Sequence, residues 1–342
     1  MIIDATLPPA AATRPVVTVD DVTVRFPLGQ KRFLTAVDAV SLAVTQGETF
    51  GLIGESGSGK STLGRSIVCL EKPTTGRVLH GEIDPYGLKS KALRLHRRQY
   101  QIIFQDPSAA LDPRMTILKS VREPLDVLAE KPRRERDAIA MEMLERVGLD
   151  GGFADRYPHQ LSGGQKQRAC IARVLTLQPS LIVCDEAIAA LDVSIQADIL
   201  NLLADLQTEF GLTYFFISHD IGVVEHIADT VAVMYLGQIV EIAPAEVLAD
   251  GYRHPYTEAL LSAEPVALPS HMRSDRRIVL EGELPSPVKP PSGCRFRTRC
   301  RYATERCAAE APPLRELAPG HRAACHYAET FRRDLQPQEV EA

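Results

Sequence analysis

The stretch GLIGESGSGKST, residues 51–62, carries the densest chemistry in the chain. Gly54, Gly59, Lys60 and Ser61 stand in the spacing GxxxxGK[ST], after an apolar run and before a helix-forming one. Glycines let a backbone wrap closely around phosphates, and clustered amide N–H groups at a helix N-terminus favour their negative charge. A flexible glycine loop is the bland alternative, but it accounts for neither the lysine nor the hydroxyl. Gly54, Glu55, Ser56, Gly57, Ser58, Gly59, Lys60, Ser61 and Thr62 are therefore expected to bind a nucleoside triphosphate. Lys60 reaches the β and γ phosphates, and the Ser61 hydroxyl ligates Mg²⁺.

A second group of chemical residues closes SLIVCDE, residues 180–186. An apolar strand ending in Asp185 and Glu186 delivers both carboxylates to the C-terminal edge of a parallel sheet, where ligands bind. Asp185 is expected to hold Mg²⁺ through water, and Glu186 to act as general base or orienter for the attacking water. A third site is LSGGQKQR, residues 161–168. Ser162 precedes two glycines that open a long helix, which makes a second candidate phosphate-binding helix N-terminus.

These elements must be positioned by an α/β scaffold. Strand-like and helix-like segments alternate from about Val16 to Ala263. VVTVDDVTVRF alternates as a half-buried strand does, whereas YQIIF, LIVC, TYFFIS and VAVMYLG read as buried strands. AVSLAVTQGETFGLIG reads as two strands, and Ser61–Leu70, Val193–Phe210 and Pro255–Ala263 read as helices. Charged, helix-forming sequence between Ile117 and Val147 suggests a helical insertion at about 111–160. Residues 1–15 read as a disordered lead. Residues 264–342 read as a Pro-rich linker, LPSPVKPPSG, and an extension carrying four of the seven cysteines.

Composition narrows the class. The 342 residues are 45% hydrophobic and 24% charged, which is ordinary for a globular chain. A net charge of -5 argues against a nucleic-acid-coating protein, so no nucleic-acid partner is expected. No apolar run approaches a membrane span, and the N-terminus lacks a secretory pattern. The chain is expected in the cytoplasm, where thiols stay reduced and a disulfide framework is not expected.

The order of the motifs resembles that of the ATP-binding cassette (ABC) ATPases: GESGSGKST, Gln105 in IIFQDP, LSGGQ, LIVCDE, Asp192 in AALD and His219 in FISHD. The resemblance covers about residues 16–263. It implies an ABC-type P-loop domain with an antiparallel β subdomain and a helical insertion, working as a head-to-tail dimer. Phe26 would stack on adenine, and Gln105 would join the Mg²⁺ shell and relay the nucleotide state to membrane subunits. His219 would contact the γ-phosphate, and Asp192 would form the D-loop. Ser162, Gly163, Gly164 and Gln165 would cover the partner's ATP.

The remaining cysteines follow C-x5-C-x6-C-x17-C through Cys294, Cys300, Cys307 and Cys325. By count alone, four thiolates suit zinc or an iron–sulfur cluster. STLGR, DPRMT, RYPHQLSGGQ, LDVSIQADILNLL, HPYTEALL and the cysteine segment resemble the second ATPase subunit of dipeptide/oligopeptide-type ABC importers. That resemblance implies a [4Fe–4S] cluster on the four cysteines. Arg295, Arg297, Arg299, Arg301 and Arg306 would offset its charge. It also implies a second, different ATPase subunit, two transmembrane permease subunits and an extracytoplasmic solute-binding protein. The chain would lie on the cytoplasmic face of the bacterial inner membrane and power uptake of peptides or a related small solute. Cys69, Cys170 and Cys184 fall in helix or strand patterns and are expected in the core.

Two positions depart from that family's Pro-Val-Ser-Ala-Leu-Asp: Ala187 and Ala189 replace the proline and serine. They motivate an alternative, a nucleotide-sensing subunit with weak hydrolysis. A soluble repair or translation ATPase is a further alternative, although no coiled coil or paired cassette is present to support it.

Overall fold

A computed structural model describes residues 14–30, 32–263, 278–280, 282–283 and 285–331. The expected lead therefore lies almost wholly outside the described residues, as does the first part of the linker.

Chain order begins with β1 (Pro15–Gly29), β2 (Arg32–Thr45), β3 (Thr49–Ile53), α1 (Lys60–Ile67), β4 (Thr75–His80), α2 (Ser90–His96) and β5 (Tyr100–Ile103). Then come α3 (Pro107–Ala110), α4 (Ile117–Leu128), α5 (Arg133–Arg146), α6 (Gly163–Leu175), β6 (Leu181–Asp185), α7 (Val193–Phe210) and β7 (Thr213–Ser218). The chain continues through α8 (Ile221–Ile227), β8 (Thr230–Tyr235), β9 (Gln238–Pro244), α9 (Ala245–Gly251) and α10 (Pro255–Ser262). It closes with α11 (Glu305–Ala309), β10 (Arg315–Ala318) and β11 (His321–Ala323).

The main sheet has the order β10-β11-β9-β8-β3-β7-β6-β5, and its five strands from β8 to β5 run parallel. Strands β3, β6 and β7 are buried along their whole length, as their unbroken apolar runs require. Alternate residues serve two cores. Ile182, Cys184 and Phe216 face the helical side with Ile117, Leu144 and Ile171. Leu181, Val183, Phe215 and Ile217 face Leu63 and Ile67 of α1 and the antiparallel sheet β2-β1-β4. Gly51 lets α8 approach β3, since a Cβ there would lie 2.3 Å from Val224 Cγ1.

Two readings of helix and linker change. The first helix stops at Ile67, so Cys69 sits in the following turn at φ +62°, still buried at 3% exposure. The C-terminal cysteine segment is not a free appendage. Strand β11 pairs antiparallel with β9, and Ala324 N donates to Val240 O at 2.8 Å. Phe296, 2% exposed, enters the main core among Tyr235, Tyr256 and His254. A fully buried carboxylate fastens the same seam. Glu241 accepts from His321 Nε2 at 2.8 Å, Thr257 Oγ1 at 2.5 Å and the amides of Arg253 and His254. A buried charge with this many donors is fully paired, as it must be to be tolerated.

Candidate functional site

The loop between β3 and α1 is shaped by glycines that no other residue could replace. Gly54 at φ +153° would put a Cβ 2.2 Å from Met234 O, and Gly59 at φ +106° would put one 2.0 Å from Ala36 O. Gly57 faces open space, so the loop is walled behind and free in front. Lys60, 4% exposed, turns its ammonium back onto the carbonyls of Gly54 at 2.7 Å and Glu55 at 2.9 Å. Burial lowers its pKa, while the carboxylates of Glu186, Asp185 and Glu55 pull it back up. A cation held this way has donors to turn toward a phosphate that replaces the two carbonyls.

Strand β6 delivers Asp185 beside the start of α1, where Ser61 Oγ donates to Asp185 Oδ1 at 2.6 Å. Burial raises the Asp185 pKa against the Ser61 hydrogen bond and the nearby Arg65. A hydroxyl touching a partly desolvated carboxylate fits Mg²⁺ chemistry, because both groups are hard oxygen donors and the cation offsets the buried charge. Glu186 follows in the left-handed region at φ +50°, its amide tied to Ile217 O at 3.0 Å. Its Oε2 accepts from Gln105 Nε2 at 2.8 Å and lies 3.8 Å from His219 Nδ1. Gln105, Glu186 and His219 thus come together from three elements, with the amide of Gln105 on Glu186 and not on the Ser61–Asp185 pair. Such a group can orient and deprotonate a water beside a γ-phosphate.

Phe26 is half-buried on β1 opposite Leu34 and packs on the core of the antiparallel sheet. Ser162 caps α6 in a capping box, with its Oγ accepting from Gln165 N at 3.3 Å and its own amide donating to Gln165 Oε1 at 3.0 Å. Gly164 is required by close packing, since a Cβ there would lie 2.6 Å from Ile195 Cγ2 on α7. Ser162, Gly163, Gln165 and Asp192 are exposed or half-exposed, and Val193 is 82% exposed. Among the described residues no hydrogen bond or ion pair joins Ser162–Gln165 to residues 54–62. Ala187 and Ile188 are buried, and Ala189 is half-buried.

The four C-terminal cysteines share one cavity of about 190 Å³, lined also by Phe296, Tyr302, Tyr327 and Phe331. Burial pushes the Cys300 thiol up to about 12 and the Cys325 thiol up to about 11, and their cysteine neighbours add to both shifts. Tyr327 N points at Cys325 Sγ at 3.4 Å. Among the described residues no three His, Cys, Asp or Glu side chains are grouped to hold a single metal ion. Cys69, Cys170 and Cys184 are buried in the core, as expected.

The interleaved arginines, expected to offset a cluster's charge, are already paired elsewhere. Arg295 bonds Asp38 and Leu236 O, Arg299 bonds Glu55, Arg301 bonds Glu258, and Arg306 bonds Glu310. Arg297 donates to Ser292. The carboxylates of the cassette and lobe claim them because charge-assisted, often bidentate pairs are their best available partners. Sequence reading also missed Tyr256, whose hydroxyl accepts from Glu55 N at 2.8 Å. Its only signal is the HPYTEALL segment, which carries no recognisable chemistry by itself.

A P-loop, a carboxylate pair at the end of a central strand and a capped SGGQ helix on one such sheet define an ABC ATPase. The family model described as ABC transporter matches residues 37–189, and the one described as Oligopeptide/dipeptide transporter, C-terminal region, matches residues 240–307. The chain is 50% identical to a probable peptide ABC transporter ATP-binding protein, y4tS, of Sinorhizobium fredii, covering 90% of this chain and 88% of that one. It is 48% identical to the oligopeptide transport ATP-binding protein AppF of Bacillus subtilis, over 93% and 98% of the two chains. Among solved structures, the ATP-binding cassette MJ0796 bound to ADP and Pi, a dimer, superimposes with a TM-score of 0.61 at 34% identity, covering 67% of this chain and 98% of that one. The chain belongs to the ATP-binding subunits of oligopeptide/dipeptide-type ABC transporters, and its enzymatic activity is ATP hydrolysis.

Proposed function

We propose that this chain powers uptake of peptides, or of a related small solute, through an ABC importer. The observation that carries this is the C-terminal region shared with oligopeptide/dipeptide transporters, joined to a phosphate loop with Ser61 on Asp185 and Gln105 on Glu186. Glu186 serves as general base, oriented by Gln105. His219 contacts the γ-phosphate, and Ser61 and Asp185 hold Mg²⁺. The exposed Ser162–Gln165 and Asp192 serve a second ATPase subunit, head-to-tail, in a heterodimer. Among the described residues no helix is long and apolar enough to cross a membrane. As in its peptide-transport relatives, the chain sits peripherally on the cytoplasmic face, and two permease subunits fed by an extracytoplasmic solute-binding protein supply the path. A groove beside Gln105, lined by Leu70, Phe104, Val127 and Arg173, suits a cytoplasmic helix of a permease. Inactivating the gene should abolish uptake of labelled di- and oligopeptides, and complementation should restore it. Unchanged peptide uptake with loss of another solute would move the substrate assignment and leave the ATPase intact.

A second reading concerns the cysteine cavity: it holds a [4Fe–4S] cluster. A single zinc draws four sulfurs to about 2.3 Å from one point. A cavity of about 190 Å³ with cysteines on its wall suits thiolates spread over the corners of a cluster. Burial raises the thiol pKa of Cys294, Cys300 and Cys325, so thiolates at those three positions need a cationic centre to form. Anaerobic protein should contain about four irons per chain and absorb broadly near 400 nm (roughly, as thiolate–iron chemistry does). Stoichiometric zinc without iron would overturn this reading.

A further inference from the structure

The C-terminal lobe reaches the nucleotide loop directly. Arg299 donates from Nη1 and Nη2 to the two carboxylate oxygens of Glu55 at 2.7 and 3.1 Å, and its side chain is 9% exposed. Four residues earlier, Arg295 bonds Asp38 and Leu236 O. The next residue, Gly237, donates its amide to Ser58 O of the loop at 2.8 Å. Glu55 is also fixed through its backbone, by Tyr256 at its amide and Lys60 at its carbonyl.

We infer that Arg299, backed by Arg295, is a positioning residue for ATP, which it serves by holding and neutralising Glu55 at the outer turn of the phosphate loop. A carboxylate in a phosphate-binding loop is a liability, because it repels the ligand. Its charge reaches the site, since it is among the groups acting on the Lys60 ammonium. A bidentate guanidinium cancels that charge and fixes the turn at once. The lobe that carries the four cysteines thereby becomes part of the nucleotide site's support, whatever occupies the cysteine cavity.

Charge and scaffolding separate in a double-mutant cycle. Binding of a fluorescent ATP analogue to the full chain, and KM and kcat of the assembled transporter, would be compared for Arg299→Met, Arg299→Lys, Glu55→Gln and the double variant Glu55→Gln/Arg299→Met. Arg299→Met should weaken binding and raise KM about tenfold while kcat stays within about twofold, and Arg299→Lys should lose about threefold. Removing the orphaned carboxylate in the double variant should recover most of the loss. Should Arg299→Met fail to fold, Arg299→Lys with and without Glu55→Gln gives the same comparison. Unchanged affinity in the Arg299 variants, or a double variant as weak as the single one, would overturn the inference.

Discussion

At the scale of single residues, Lys60 shows how the loop is built to receive a phosphate. Its ammonium is buried against two loop carbonyls, an arrangement that a phosphate improves by replacing dipoles with charge. Lys60→Ala should weaken ATP binding by about 10- to 100-fold, the value of a hydrogen bond to a charged group, read by equilibrium binding of a fluorescent ATP analogue. Retained affinity would remove Lys60 from the site. His254 makes a different prediction. Burial holds its imidazole near pKa 3, well below its ordinary 6.5, and its Nδ1 accepts from Tyr256 N at 3.0 Å. Because the folded pKa is depressed, the stability is complete above pH 6.5 and falls as pH drops toward 3, where the folded protein finally takes the proton. The slope from this group is at most about 1.4 kcal/mol per pH unit. His80, held near 4 mainly by burial, adds over the narrower window. His254→Asn, which keeps a capping acceptor, should flatten the acid side of the stability curve in chemical denaturation. An unchanged curve would mean that His254 is not what limits acid stability.

At the scale of elements, the signature helix α6 and the lobe give separate tests. Ser162 and Gln165 satisfy each other's backbone at the start of α6 and leave that end facing outward. Ser162→Arg should leave this chain's own ATP binding intact and impair hydrolysis at the partner's P-loop. Mixed-subunit ATPase assays check this, and failure of only the mutant's own site would contradict the head-to-tail arrangement. Phe296→Ala should cost about 3–5 kcal/mol, because a fully buried ring is removed from a packed aromatic group. Denaturant titration measures it. Legibility followed sequence pattern. Strands β6 and β7 are continuous apolar runs, and the P-loop glycines are forced by close backbone approach, so both were readable. Strands β10 and β11 are four and three residues long and rich in charge, and they join the sheet through β11 on the edge of β9 and β10 on β11. No local periodicity announces them. The pairing of Arg299 with Glu55 spans 244 residues and is likewise invisible before folding.

At the scale of the whole molecule, the lobe and the cassette share a sheet, a core and a buried carboxylate, so a disturbance in one is felt in the other. The motif order made the cassette legible because each motif is a local solution to phosphate or Mg²⁺ binding. The seat of the lobe was not legible, because a proline-dense stretch says where regular structure stops and not where the chain goes next. The lobe's contact with the phosphate loop also changes what its loss should do. Cys300→Ser should raise the KM for ATP as Arg299→Met does, read in the same transporter assay; an unchanged KM would separate the cysteine cavity from the nucleotide loop. Glu186, proposed as the base that activates water, gives the most direct test. Glu186→Gln in the assembled transporter should cut phosphate release by roughly 10²–10⁴-fold and abolish ATP-driven peptide uptake into proteoliposomes, while ATP binding remains. Phosphate release and uptake near the wild-type rate would contradict the account.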